Sequence, residues 1–317
     1  MDDKEPYIGS VKFFKNMILL ACIIAVIIPT VLAIFWHSRA VKNSKAEQSA
    51  KAELQAYVDE QEQLAESEAE KEAEAEKESP DAIDYQELYP DFYVSTPLPE
   101  VETPEKVAYL TFDDGPSDNT DTILEILDEE NIKATFFVVG RTSETDIARM
   151  KKIAAAGHTI GMHSYSHDYA TVYSSVEDFL ADFYKLFTFL RDEVGVTPEI
   201  FRFPGGSLNN YDQGVYEEII AEMLRRGFRY YDWNLSAQDA ASPTPSAQTI
   251  LDGILGSSAN KKYGVVLMHD SGRCKTTVEA LPELISGLRE QGYTFGKLDR
   301  TVRQISFSYR NKVDIDS

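Results

Sequence analysis

Cysteine is scarce in this chain: 317 residues hold two, Cys22 and Cys274. Cys22 lies inside an apolar run and Cys274 far from it, so an intramolecular disulfide is not expected. The soluble part must then be held by its hydrophobic core. Basic residues are also short, with 31 Lys and Arg against 53 Asp and Glu and a formal net charge of −22, which argues against nucleic acid as a partner. Charge is missing altogether from Met17 to Trp36, a run of 20 residues. Roughly 20 apolar residues at ~1.5 Å rise span a ~30 Å hydrocarbon core, and a membrane helix tolerates Pro29 and Thr30 within it. The run exceeds the ~7–15-residue apolar region of a cleaved signal peptide. Val31-Leu32-Ala33 is also a poor cleavage site. An uncleaved anchor, with the lipid bilayer as partner, is the reading. Lys12 and Lys15 precede it and Arg39, Lys42 and Lys45 follow, so charge does not orient it. Glycine and proline are absent from Ser44 to Ser79, where twelve acidic residues face four lysines. Ala50, Leu54, Tyr57 and Leu64 approach a ~3.5-residue repeat, but Gln61 and Glu68 fill seam positions. A single charged helix or extended stalk is expected, rather than a stable coiled coil.

What the chain does contain is a repeating strand–helix pattern. It follows a cytoplasmic tail (1–16), the anchor (17–36), the stalk (37–80) and a lead-in (81–105). The aromatic cluster Tyr85, Tyr89, Phe92 and Tyr93 in the lead-in predicts an ordered segment packed on the following domain. The main domain, 106–300, reads as strands at 107–112, 134–139, 159–163, 200–204, 228–233, 263–268 and 293–298. Helical patterns fill 120–130, 143–156, 175–194, 212–226, 246–257 and 277–291, and a short tail closes the chain at 301–317. In the last helix Leu281, Leu284, Ile285 and Leu288 share one face. This alternation predicts an α/β domain, a distorted (β/α) barrel of about seven parallel strands, with its chemistry at the carboxyl ends of the strands.

The unusual residues fall at those ends. Thr111-Phe112-Asp113-Asp114-Gly115-Pro116 ends the first strand. Neighbouring strand residues point to opposite faces, but at a turning strand end two carboxylates can surround one pocket, one holding a metal and the other serving as a base. A solvated acidic turn is the competing reading, since Asp-Gly and Gly-Pro are ordinary turn dipeptides. His163-Ser164-Tyr165-Ser166-His167 ends the third strand, and four-residue spacing on a helical turn would put both imidazoles on one side. Two imidazoles and a carboxylate form a metal site with open positions. The same donors describe a non-haem iron oxygenase site, although those enzymes use a different, β-rich scaffold. Arg202-Phe203-Pro204-Gly205-Gly206 ends the fourth strand, Asp232-Trp233 the fifth and His269 the sixth. An arginine fork at 202 can keep Asp113 ionised, Asp232 can do the same for His269, and His269 is a general-acid candidate. Trp233 reads as a pocket wall. His158 sits at a helix-to-strand turn and His37 beside the apolar run; neither requires a role.

These five segments, in this order, resemble the motifs of the polysaccharide deacetylase family, carbohydrate esterase family four, over about residues 105 to 300. The resemblance implies Asp113 as general base and His269 as general acid. It also implies a divalent metal, usually zinc (cobalt or another divalent ion being possible), on Asp114, His163 and His167. Arg202 would orient Asp113, Asp232 would tune His269, and Trp233 and Leu267 would line the pocket for an acetyl methyl. Family members often carry Arg-x-Pro-Tyr-Gly, whereas Gly205 stands here in place of the tyrosine. The backbone N–H at 205, the family's oxyanion donor, survives that change; the aromatic ring does not. The implied activity is removal of acetate from N-acetylated sugars. Placed on a stalk outside a cell membrane, such a domain would meet peptidoglycan first as its glycan substrate, with chitin-like oligomers or an exopolysaccharide as alternatives. A catalytically silent wall-binding module is the reading from another class, and the filled catalytic positions argue against it.

Overall fold

The computed structural model describes residues 84–307 apart from 213 and 242. The apolar run 17–36, the stalk, Cys22, His37 and the last ten residues lie outside the described residues. Among the described residues no helix is long and apolar enough to cross a membrane. The chain divides into two units between Glu87 and Leu88. Of the first, the described part is a 3-10 turn, Asp84–Glu87.

The second unit is built on one parallel sheet. Its strands are β1 (Val107–Asp113), β2 (Thr135–Val138), β3 (Thr159–Met162), β4 (Ile200–Phe201), β5 (Arg229–Tyr230), β6 (Leu235–Ser236), β7 (Tyr263–His269) and β8 (Thr294–Gly296). The order along the sheet is β5-β4-β3-β2-β1-β7-β6, with β8 attached to β1. β1 is the central strand: β7 pairs with its whole length, while its other edge is shared between β8 at Val107–Tyr109 and β2 at Thr111–Asp113. It is buried on both faces, which is why its sequence reads as a nearly continuous apolar run.

Chain length alone forces the sheet to curl. Laid flat, seven strands at ~4.8 Å spacing would put the two outer strands ~29 Å apart. Yet β5 and β6 are joined by only Tyr231–Asn234, a connection that reaches ~17 Å at most. The outer strands must therefore approach one another, and the sheet bends into a distorted barrel. β6 is absent from the sequence expectation. It is two residues long and follows Asn234, whose side chain mimics a strand by donating to the Tyr263 carbonyl and accepting from the Val265 N–H. Gly264 makes room for it: a Cβ there would lie 2.6 Å from Leu235 Cδ1. The strands expected at 200–204 and 228–233 shrink to two ladder residues each. In the first case Pro204 has no N–H to give, and Arg202 turns inward.

The helices are α1 (Thr120–Glu129), α2 (Glu144–Ala155), α3 (Tyr169–Val172), α4 (Val176–Phe189), α5 (Tyr216–Arg225), α6 (Ala247–Ser258) and α7 (Lys275–Glu290). Ser143, Ser175 and Ser246 cap α2, α4 and α6, each accepting from a backbone N–H three residues on. The single helix expected over 175–194 divides into α4 and a π turn, Leu190–Val194, closed by the left-handed Gly195. From Leu88 onward the lead-in packs on its own unit. Phe92 is fully buried against Phe187 and Phe228, and Arg226 donates to the carbonyls of Leu88 and Tyr89.

Strand alternation stacks the barrel interior in layers. Tyr109, Thr111 and Asp113 share one face of β1, opposite Val265, Leu267 and His269 of β7. Tyr109, Phe137, Val265, Leu298 and Val302 form the apolar floor. Thr111 and Arg202 fill the middle, and Asp113 and His269 stand at the top. The opposite face of β1 sends Phe112 toward the helices, stacked on Phe136 at 5.1 Å.

Candidate active site

β1 delivers both carboxylates to one place because its alternation breaks. Asp114 adopts a left-handed backbone, φ 70°, which turns its side chain back toward that of Asp113. As a result His163 Nε2 lies 3.7 Å from Asp113 Oδ2 and 3.6 Å from Asp114 Oδ1. Asp113 is 2% exposed and Arg202 fully buried. The Arg202 Nη1 donates to Asp113 Oδ1 at 2.8 Å and to Thr111 Oγ1 at 2.7 Å. Its Nε donates to the Tyr231 carbonyl and Nη2 to that of Asp232, while the guanidinium sits 4.3 Å over the Phe137 ring. A buried arginine so fully engaged fixes the position of the carboxylate it holds.

The two histidines meet without the expected helical turn. Residues 163–168 form an irregular loop in which Ser164 and His167 are left-handed, φ 79° and 55°. Asp182 of α4 pins this loop, accepting from Ser164 Oγ and from the backbone N–H groups of Tyr165 and Ser166. Ser164 Oγ in turn accepts from His167 N. The His163 and His167 ring centroids end 5.2 Å apart. The His163 Nδ1 faces the Arg202 carbonyl at 2.9 Å, so Nδ1 carries the proton and Nε2 presents its lone pair.

His163 Nε2, His167 Nε2 and Asp114 Oδ1 lie close enough to share one ion, all within 4.8 Å of one another. The donor set fits a metal on three counts. Asp114 Oδ1 is buried with no hydrogen-bond donor aligned on it, although His167 Nε2 is 3.1 Å away. Burial opposes charge on Asp114, but the nearby His167 outweighs it and holds the carboxyl well below the usual range. Burial pushes the His163 pKa down, against the pull of Asp113 and Asp114, which keeps the imidazole neutral. Neutral imidazole and ionised carboxylate are the forms that bind metal.

His269, in ladder register with Asp113, has a different carboxylate partner from the one expected. Asp239, fully buried, accepts from His269 Nδ1 at 2.7 Å, from His269 N at 2.8 Å and from Thr277 Oγ1 at 2.7 Å. Burial lowers the His269 pKa, but Asp239, with Asp113 and Asp114 behind it, reverses the shift and raises it. The expectation that Asp232 tunes His269 is therefore corrected. The Asp232 carboxylate instead accepts from Ser207 N, Ser207 Oγ and Phe307 N, so it braces the loop after Arg202. Asp232 projects from the short connection after β5, whereas Asp239 projects from the loop after β6, next to the strand that carries His269.

Trp233 is half-buried. Its ring meets Phe307 edge-on at 4.8 Å, and a Cβ on Gly206 would lie 3.0 Å from it. Leu267 is buried on the same strand face as His269. Gly205 is left-handed, φ 80°, and a Cβ there would lie 2.8 Å from the Tyr169 ring. His158 lies apart, buried with its Nδ1 accepting from Ala134 N. Sequence reasoning missed Asp239, Asp182, Tyr169 and Phe307. For Asp239 a signal existed once β6 is known, because the residue then falls just past a strand end like the others.

The polysaccharide deacetylase profile matches residues 100–224. Two Bacillus cereus proteins named peptidoglycan-N-acetylglucosamine deacetylase are similar to the chain. One is 32% identical over 193 residues, 60% of this chain and 68% of the relative. The other is 31% identical over 225 residues, 69% of this chain and 97% of the relative. Among solved structures, the catalytic domain of peptidoglycan N-acetylglucosamine deacetylase from Eubacterium rectale matches with a TM-score of 0.63 and 32% identity, covering 67% of this chain and 98% of that one. This chain belongs to the polysaccharide deacetylase family.

Proposed function

We propose that the protein is a metal-dependent N-deacetylase that releases acetate from N-acetylglucosamine residues of cell-wall peptidoglycan. The observation that carries this reading is the pairing of two differently employed carboxylates: Asp113 gripped by a buried arginine, and Asp114 left open beside two imidazoles. Asp114, His163 and His167 suit a zinc ion, which supplies Lewis acidity toward the amide carbonyl and its attacking water. Asp113, held in position by the Arg202 guanidinium, takes the proton of that water. The Gly205 N–H is the donor for the developing oxyanion. His269, its pKa raised by Asp239, gives its proton to the departing amine, and acetate leaves. Trp233 and Leu267 bound the space for the acetyl methyl.

The N-terminal sequence supports the choice of polymer. An uncleaved anchor at 17–36 and a charged stalk would place the domain outside the cell membrane, within reach of wall glycan. The full-length chain in detergent, stripped with chelator and returned to zinc, cobalt or buffer, is assayed for acetate from peptidoglycan and from chitin oligomers. Metal-dependent acetate from peptidoglycan, lost in Asp113→Asn, is expected. Acetate from chitin oligomers alone moves the substrate elsewhere. A fully active Asp113→Asn overturns the base assignment.

A further inference from the structure

Asp270 follows His269 directly and is fully buried, yet it takes no part in the reaction scheme. Its Oδ1 accepts from Ser117 Oγ at 2.7 Å and its Oδ2 from Thr120 Oγ1 at 2.5 Å. These partners are hydroxyls rather than a cation, and burial pushes the pKa of the group up. A carboxyl group buried without a counter-charge is less stable there than an apolar side chain of similar volume.

Asp270 lies beneath the turn that carries the two site carboxylates. Its N–H donates to the Asp113 carbonyl at 2.8 Å, where the β1–β7 ladder ends at the Asp113–His269 pair. Its side chain fills the space behind Gly115, because a Cβ at 115 would lie 2.6 Å from Asp270 Oδ2 and 3.1 Å from Asp270 Cβ. Close approach thus requires glycine at 115. The Gly115 carbonyl is held in turn by the Val139 N–H at 3.0 Å, just past β2. The residue after Asp114 is therefore fixed from two sides.

The same carboxylate reaches the start of α1. Thr120 Oγ1, which donates to it, accepts from Ser117 N at 2.8 Å, and Ser117 Oγ accepts from Asn119 N at 3.1 Å. The Asn119 side chain does not cap α1; its Nδ2 donates to the Ser271 carbonyl at 2.7 Å. Residues 115–120 are in this way fastened to the end of the strand that carries His269. Asp114 stands between the ladder end and this fastened segment. Its left-handed backbone, φ 70°, persists only where its surroundings impose it. That conformation turns Asp114 Oδ1 toward His163 and His167.

We propose that Asp270 is a positioning residue: it aims the Asp114 carboxylate at the metal site and keeps Asp113 in register with His269. For the base and acid this inference rests on the deacetylase reading. The test uses full-length protein, zinc in a chelator competition, and the N-acetylglucosamine tetramer as substrate. Asp270→Ala is expected to weaken zinc binding about tenfold. At saturating zinc its kcat should fall about tenfold with KM unchanged. Asp270→Asn, which keeps the shape and one acceptor oxygen, should recover most of both. Ser117→Ala removes one of the two donors and should give a smaller loss in the same readouts, which carries the test if Asp270→Ala does not fold. His158→Gln, a buried polar change away from the site, should leave zinc affinity and kcat at wild-type values. Wild-type zinc affinity and kcat in the folded Asp270 and Ser117 variants, or an equal loss in His158→Gln, overturns the proposal. If wild type releases no acetate while the Asp270 variants still lose zinc affinity, the positioning of Asp114 stands and the deacetylase reading falls.

Discussion

Replacing Asp239 by asparagine probes the one assignment on which residue reading and geometry disagree. The Asp239 carboxylate accepts three donors while fully buried: His269 Nδ1, His269 N and Thr277 Oγ1. Asparagine keeps the shape but removes the charge and turns one acceptor into a donor. A hydrogen bond to a charged group contributes about 1.5–3 kcal/mol and a neutral one about half of that. The imidazolium of His269 therefore loses about 1–2 kcal/mol of support, close to one pKa unit. Because Asp239 raises the His269 pKa, its loss lowers it. A general acid must be protonated, so the alkaline limb of kcat should move toward acid by about one unit, with about tenfold less turnover above it. Stability has the same sign. A histidine pKa raised by folding stabilises the fold fully below its unfolded value near 6.5 and loses that contribution as pH rises through the folded pKa. The variant's deficit in denaturant unfolding should thus be largest at acid pH. Acetate release by zinc-loaded protein across pH, with Asp232→Asn in parallel, is the assay. An unmoved limb in Asp239→Asn, or a shifted limb in Asp232→Asn alone, refutes the reasoning and restores Asp232 as the partner.

His163→Ala should weaken zinc binding by at least a hundredfold in a chelator competition, and the rise in melting temperature expected of wild type on adding zinc should be lost. Arg202→Leu leaves Asp113 buried beside an apolar side chain and should destabilise the unit by about 3–5 kcal/mol in denaturant unfolding; a loss under about 1 kcal/mol would show that Asp113 is not held as described. His158 and Asp212 should tilt stability against pH in opposite directions. Burial lowers the His158 pKa to about 4, so stability falls as pH drops from about 6.5 toward 4, by up to about 3 kcal/mol. Burial raises the Asp212 pKa to about 6, so stability falls as pH rises from about 4 through 6. His158→Gln should therefore flatten the acid loss and Asp212→Asn steepen it, measured by urea unfolding across that range.

The long elements were legible because their periodicity is strong. β1 and β7 read as buried runs, and α4 and α7 repeat their apolar residues at helical spacing. What escaped was short or held by side chains. β6 is two residues completed by the amide of Asn234, and no pattern over a window of residues reports such a contact. The four-residue spacing of His163 and His167 suits a helical turn, but spacing alone does not distinguish a helix from a loop pinned by Asp182. Asp239 and Asp182 were invisible for a further reason. With 53 acidic residues in the chain, one more aspartate carries no signal until a partner is seen.

Asp113, Arg202 and the barrel floor form a single construction, which explains why the site residues were easier to read than their supports. Arg202 is buried, and burying a guanidinium is tolerable only if its donors are met. Thr111, Asp113 and the carbonyls of Tyr231 and Asp232 meet them. Thr111 lies one step below Asp113 on the same face of β1 and also donates to the Val266 carbonyl on β7. The carbonyl at 232 belongs to the residue whose carboxylate holds Ser207 and Phe307. One arginine thereby ties the proposed base to the central strand pair and to the loop that carries Gly205. A change at Asp232 should consequently reach catalysis through the position of Arg202 and the proposed oxyanion donor, altering rates without moving the pH limb assigned by the proposed mechanism to His269 and Asp239.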